Sequence, residues 1–179
     1  MSEKLSSTLV REPARLVVRT MQADDYPRLT ELWNRAGCAM RAGPDDLAAI
    51  ALFLGRNPDL STVAEHEDQF IGALLCGEDG RAGFIHRVTV HPECDRAEVL
   101  SAMVRRCLLK LRALGLTRCY LVCDGGAFSV EIGRSASSGL GDAVEMLADA
   151  ALRLVSRTPA EPPGKSALAC EIITPRKKK

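Results

Sequence analysis

A strand, a long helix and a second strand follow one another between residues 83 and 123, and that succession restricts the fold more than any other feature of the chain. Residues 83–90 (GFIHRVTV) are apolar and β-branched, and His91-Pro92 ends the run because proline brings no amide donor to a sheet ladder. Behind a candidate cap, Asp95, residues Leu100, Met103, Val104, Cys107, Leu108, Leu111 and Leu114 recur at three- and four-residue spacing, and Gly115 stops the helix. Residues 116–123 (LTRCYLVC) form the second apolar run. Two strands joined by such a helix lie parallel, in a right-handed crossover. Upstream, three apolar runs (60–65, 70–76 and 83–90) are separated by short polar turns, which predicts an antiparallel meander. The expected fold class is therefore α/β with α+β character: a mixed, mostly antiparallel central sheet with one parallel strand pair, flanked by helices.

The rest of the chain fits around that unit. Residues 1–14 are expected to be a flexible leader. Residues 16–19 read as a strand leading into a helix that carries Tyr26, Leu29, Leu32 and Trp33, with an Asp of the Asp24-Asp25 pair as its cap. Gly43-Pro44-Asp45-Asp46 opens a second helix through Leu47, Ile50, Ala51 and Leu54, with proline in its first turn. After Asp124 the chain turns Gly- and Ser-rich, and Asp142 then caps a helix through Val144, Leu147, Ala151 and Leu154. A Pro-rich loop (158–164), a last strand (167–173) and a basic tail (176–179) complete one domain over 15–175.

Charge and cysteine usage exclude several function classes. Lys plus Arg number 24 against 23 Asp plus Glu, a formal net charge of +1, so no global field attracts nucleic acid or an anionic membrane. Locally, residues 81–120 hold eight bases against three acids, which admits an anionic ligand there or simply a solvated helix face. Aromatic residues at 4% are too few for a nucleic-acid stacking platform, so no nucleic-acid partner is expected. No apolar run approaches the roughly 20 residues that span a bilayer. The seven cysteines form no CxxC pair and have no His at metal-ligand spacing, so no metal site is expected, and a reducing cytoplasm is the expected compartment.

Particular residues carry a family resemblance. Val63-Ala64-Glu65, then residues 70–76 (FIGALLC), then 83–93 (GFIHRVTVHPE) are similar to the corresponding segment of the GNAT superfamily of acyl-CoA-dependent N-acyltransferases, and the helix from Val99 to Leu114 resembles the one behind that family's cofactor loop. The resemblance covers about residues 16–124. It implies a GNAT-like fold whose parallel pair is splayed between Val90 and the end of the next strand near Cys123. The pantetheine arm of acetyl-CoA, the implied cosubstrate, would add to the backbone of Val88, Thr89 and Val90 as a strand does. Its pyrophosphate would lie on the amides of Asp95, Arg96, Ala97, Glu98, Val99 and Leu100, at a helix N-terminus.

That loop departs from the family pattern, [R/Q]-x-x-G-x-[G/A]. Asp95 replaces the basic or amide residue, Glu98 the first glycine and Leu100 the small residue, so close backbone approach is hindered. Glu93, Asp95 and Glu98 surround the one cation Arg96, and at an effective dielectric near 20 each unscreened charge pair about 6 Å apart costs roughly 3 kcal/mol. Arg87, Arg105 and Arg106 are the candidates to compensate.

The resemblance also implies a base that deprotonates the amine of the acceptor, a small molecule or peptide. His86, two residues before the cofactor-binding backbone, is the first candidate, with a reference pKa near 6.5, and Glu65 on the neighbouring strand is the second. A packed imidazole and a surface carboxylate are the plain alternatives. The family's tyrosine acid is missing, since no Tyr follows Tyr120, and Cys94 or Cys123 could relay a proton instead. The helices of Trp33 and Phe53 would wall the acceptor site. The alternative function is a GNAT-fold module that has lost catalysis and serves binding or regulation. A homodimer is compatible with either.

Overall fold

In the computed structural model, residues 16–123, 126–132 and 140–155 are described. The leader, the Pro-rich loop, the last strand and the basic tail expected from sequence lie outside them. The elements are β1 (Val17–Thr20), α1 (Tyr26–Arg35), α2 (Leu47–Arg56), β2 (Thr62–His66), β3 (Gln69–Glu78), β4 (Gly83–Val90), α3 (Arg96–Ala113), β5 (Arg118–Cys123), β6 (Gly126–Glu131) and α4 (Leu140–Val155). The six strands lie in sequence order in one sheet, every neighbouring pair antiparallel except β4–β5. The meander and the parallel crossover are both present.

One face carries α1 and α2, where Leu29, Leu32, Trp33 and Ile50 pack on Val63, Phe70, Ala73 and Leu75. The other carries α3 and α4. Leu100, Met103, Val104, Cys107, Leu108 and Leu111 form the buried stripe of α3 and meet Leu74, Ile85, Cys119 and Leu121 of the sheet. Two glycines let α3 lie close. A Cβ on Gly72 would come within 2.7 Å of Val99 Cγ1 and 2.9 Å of Met103 Cε, and one on Gly83 would overlap Leu111.

Five details differ from expectation, the first being that Asp142 lies inside the first turn of α4, which begins at Leu140, and so is not its cap. The stretch read as a Gly-rich connection begins with β6, which pairs along its whole length with β5 from Cys123↔Gly126 to Arg118↔Glu131. Pro44 precedes α2, which starts at Leu47 after the extended Asp46, because the Asp45 carboxylate holds Arg41 N–H (2.8 Å) and keeps residues 41–45 in a separate turn. Asp25 does not cap α1, since its carboxylate turns back to the Gln22 N–H (2.7 Å) and to Arg19. Leu114, assigned to the buried stripe, lies past the last helical turn and is exposed.

The parallel pair is short. Only Gly83, Phe84 and Ile85 face Cys119, Tyr120 and Leu121. Beyond Ile85 a bulge redirects β4: Ala73 pairs with Thr89 and Leu75 with His86, so Leu74 stands opposite both Arg87 and Val88, and Arg87 takes φ +52°. β4 stays on β3 and leaves β5. Among the described residues no helix is long and apolar enough to cross a membrane, and no group of three His, Cys, Asp or Glu could hold a metal ion.

Gly72→Ala is expected to destabilise the fold by about 1–3 kcal/mol, because β-branched Val99 cannot rotate out of the way. Denaturant melting against wild type checks this, and an unchanged midpoint would show that α3 shifts freely on β3.

Candidate functional site

The site is built on β4 after its bulge. Val88, Thr89 and Val90 lie beyond the last pair with β5, so one backbone edge is bound to β3 and the other faces the gap. The His91 N–H donates to Ile71 O on β3 (2.8 Å), and because peptide groups alternate sides along a strand, the N–H and C=O of Val90 turn towards the gap. A cavity of about 190 Å³ opens there, lined by Cys38 after α1, by Val88–Val90, by Arg96 and by Leu154 and Val155 of α4. The Cys38 thiol lies 3.7 Å from the Thr89 hydroxyl. None of these α4 or post-α1 residues carries a motif, so sequence alone could not point to them.

The opening turn of α3 is already capped. Asp95 Oδ1 accepts from Ala97 N–H (3.0 Å) and Glu98 N–H (3.2 Å), so two of the amides expected to hold a diphosphate are held by the chain's own carboxylate. Val99 and Leu100 turn into the core, Ala97 and Glu98 face solvent, and Arg96 lines the cavity. Two of the three expected compensating cations are engaged elsewhere. Arg87 donates to Asp45 Oδ2 (2.8 Å) and Ala39 O (3.2 Å), and Arg106 to Thr62 Oγ1 (3.1 Å) and Asp59 O (3.2 Å). Arg105 is exposed on α3.

His86 immediately precedes the bulge. It shares a face with its β3 partner Leu75, the α1/α2 side, and the Phe53 ring of α2 meets the imidazole edge-on at 5.1 Å. Burial pushes its pKa below the ordinary value, the adjacent Arg87 charge lowers it further, and Asp45 opposes both. The imidazole is therefore neutral at pH 7 and able to accept a proton.

Sequence reasoning did not anticipate the ion pair beside it. The Arg87 guanidinium stacks over Trp33 at 4.4 Å and pairs with Asp45, which is 4% exposed, while Tyr26 Oη donates to Asp45 O (3.0 Å). These contacts clamp the α1–α2 connection onto the β4 bulge. The available signal was an arginine inside an otherwise apolar strand.

Glu65 stands two strands away from β4, between guanidinium groups. Arg28 Nη1 (2.8 Å) and Arg19 Nη2 (2.9 Å) both donate to its Oε1, and Arg19 also pairs with Asp25 (2.8 Å). Burial raises the Glu65 carboxyl pKa, but the Arg19 and Arg28 contacts outweigh it and the net is below the ordinary value. A carboxylate so held is a poor proton acceptor. His91 Nδ1 accepts from the Glu93 N–H (3.4 Å), a turn-stabilising role. The Cys94 thiol is raised by burial and by Glu93, and stays protonated. The Cys123 side chain lies outside the description.

Three comparisons bear on this geometry. The sequence model of the Acetyltransferase (GNAT) family matches residues 20–128. The chain is 30% identical over 105 residues to an acetyltransferase of Photorhabdus laumondii, covering 59% of this chain and 73% of that one, and equally identical over 105 residues to an acetyltransferase of Pectobacterium atrosepticum, covering 59% and 74%. A solved GNAT family acetyltransferase of Brucella melitensis in complex with acetyl-CoA superposes with TM-score 0.53 at 20% identity, over 71% of this chain and 94% of that one. The PaiA N-acetyltransferase of Thermoplasma acidophilum in complex with coenzyme A gives 0.53 at 14%, over 62% and 80%. At these identities the structural likeness is one of fold.

Because the folded pKa of Glu65 lies below the ordinary glutamate value of 4.5, its ion pairs contribute stability that is present above that value and lost as pH falls through the folded one. Glu65→Gln should therefore melt earlier than wild type at pH 7, with the two melting temperatures converging as the solution is acidified. A gap that persists at low pH would mean packing, and not charge, holds Glu65.

Proposed function

We infer the reaction from one premise: the chain belongs to the acetyltransferase (GNAT) family. On that premise the protein transfers an acetyl group from acetyl-CoA to the primary amine of a small molecule or peptide by direct attack. The observation that carries this reading is the parting of β4 from β5 at the residue that bears His86. Bound acetyl-CoA supplies the thioester carbonyl and a thiolate leaving group. The edge of Val88 and Val90 holds an extended arm as an added strand would be held. His86, neutral at pH 7, takes one proton from the acceptor ammonium, and the amine nitrogen is then free to attack. Its second proton ends on the departing sulfur. Thr89 and Cys38, which line the cavity with exchangeable protons, stand in for the missing tyrosine.

The phosphate end fits less well. With Asp95 on the Ala97 and Glu98 amides, a diphosphate must displace an internal bond and meet two further carboxylates, so affinity for the cosubstrate is low. This same cap favours the second reading, a binding or regulatory module without transfer. The five cysteines whose side chains are described are free thiols, as a reducing setting would keep them.

Calorimetric titration with acetyl-CoA separates the readings. Binding in the micromolar range supports transfer, and no heat at millimolar cosubstrate supports the module. Asp95→Arg with Glu98→Gly should tighten CoA at least about tenfold, and the gain should shrink as salt rises, because it is electrostatic and partly exposed. An affinity that stays unmeasurable would place the phosphates elsewhere.

His86→Gln should lower kcat by roughly 10²–10³ while leaving CoA affinity near wild type. Since the His86 pKa is depressed, the wild-type rate should fall only below the ordinary histidine range, and that acid limb should vanish in the variant. An acid limb unchanged in His86→Gln would assign the base to another group.

A further inference from the structure

Four rings lie along the α1/α2 side of the sheet at the point where β4 and β5 part. Phe53 meets His86 edge-on at 5.1 Å, and Phe84 stacks on Tyr120 at 5.5 Å with an interplanar angle of 14°. Phe84 and His86 are joined into the same row, because residues two apart on a strand share a face and stand roughly 7 Å apart. That this face is the α2 side is fixed by two register pairs. Phe84 pairs with Gly77, whose missing side chain lies against Phe53, and His86 pairs with Leu75 of the α1/α2 core. Tyr120, opposite Phe84, shares that face.

Two of the chain's seven aromatic side chains, Phe84 and Tyr120, are thus spent on a surface that opens outward. Phe84 and Tyr120 are half-buried, Val122 is 41% exposed, and Ala127 and Ser129 opposite them on β6 are exposed. Core packing does not require this placement, because the core of this face lies under α1 at Trp33 and Phe70. The row ends on the His86 imidazole, which stands on the α1/α2 side at the residue where β4 leaves β5. Asp45 and Glu131, on this side of the sheet, are already paired with Arg87 and Arg118, so neither offers a free carboxylate to the second positive charge of a diamine.

We propose that the Phe84–Tyr120 pair binds the acceptor, and that the acceptor is a primary amine with an aromatic body. The proposal rests on the transferase reading for its chemistry and on the ring row for its specificity. A ring laid against Phe84 and Tyr120 gains stacking that an alkyl chain lacks. An ethylamine side chain on that ring carries its nitrogen along the strand to His86, beside the apex of the gap.

The test uses the full chain with acetyl-CoA and two primary amines, 2-phenylethylamine and n-butylamine, with each rate referred to its free-amine concentration because the phenyl ring lowers the ammonium pKa. The expected kcat/KM ratio favours 2-phenylethylamine by about tenfold or more. It should fall by about fivefold in Tyr120→Leu and in Phe84→Leu, which keep apolar bulk without a stacking face, and return in Tyr120→Phe. Equal rates on the two amines, or a ratio unchanged in both leucine variants, would overturn the proposal. If no amine is acetylated at all, calorimetric binding of the same two amines tests the row by itself. Preferential binding of 2-phenylethylamine that Tyr120→Leu abolishes upholds the aromatic site while the transferase reading fails, and equal or absent binding rejects the site.

Discussion

Three residue pairs hold the two halves of the sheet together, and the architecture of the site follows from their being so few. Gly83, Phe84 and Ile85 pair with β5, and the next residues are turned away by a bulge whose Arg87 has a left-handed backbone conformation. Such a conformation costs on the order of 1–3 kcal/mol in a non-glycine residue and persists only where its surroundings over-determine it. Here they do. The Arg87 guanidinium is fixed by Asp45, by Ala39 O and by the face of Trp33. One side chain thus links the strained backbone that opens the gap to the connection that walls it. Replacing either member of such a buried pair would leave the other charge without compensation, which ordinarily costs several kcal/mol.

Burial beside that arginine also sets the chemistry of its neighbour. An imidazole next to a fixed cation resists a second positive charge, so the pair that shapes the strand keeps His86 in its proton-accepting form. On the opposite face α3 is pressed against the sheet at Gly72 and Gly83. Its N-terminus is thereby held at the mouth of the gap, where Arg96 lines the cavity.

Much of the fold was legible because it rests on periodicity and on punctuation. The apolar stripe of α3, its Asp95 cap, the Gly115 stop and the meander turns each have a local chemical signature, and all four recur in the structure. β6 is not legible although Asp124-Gly125 is a dipeptide that favours two-residue hairpins, because the glycines and serines beyond it resemble one long connection. The roles of Pro44 and Asp25 are not legible because other groups compete for the same partners, Asp45 for the Arg41 amide and Arg19 for the Asp25 carboxylate. The site was less legible. Its backbone edge follows from the strand, but the bulge, the Arg87–Asp45 pair and the row of rings depend on register between strands, which no single segment encodes. Glu65 looked available only because Arg19 and Arg28, 46 and 37 residues away in sequence, could not be seen to converge on it.

The Asp95 cap has a thermodynamic consequence for the start of α3. A helix start that awaits an anion leaves amides unsatisfied until the anion arrives, so occupancy and folding are strongly linked. This helix brings its own counterpart. Any visitor at those amides exchanges one bond for another, and the exchange forfeits a cap worth about 0.5–2 kcal/mol.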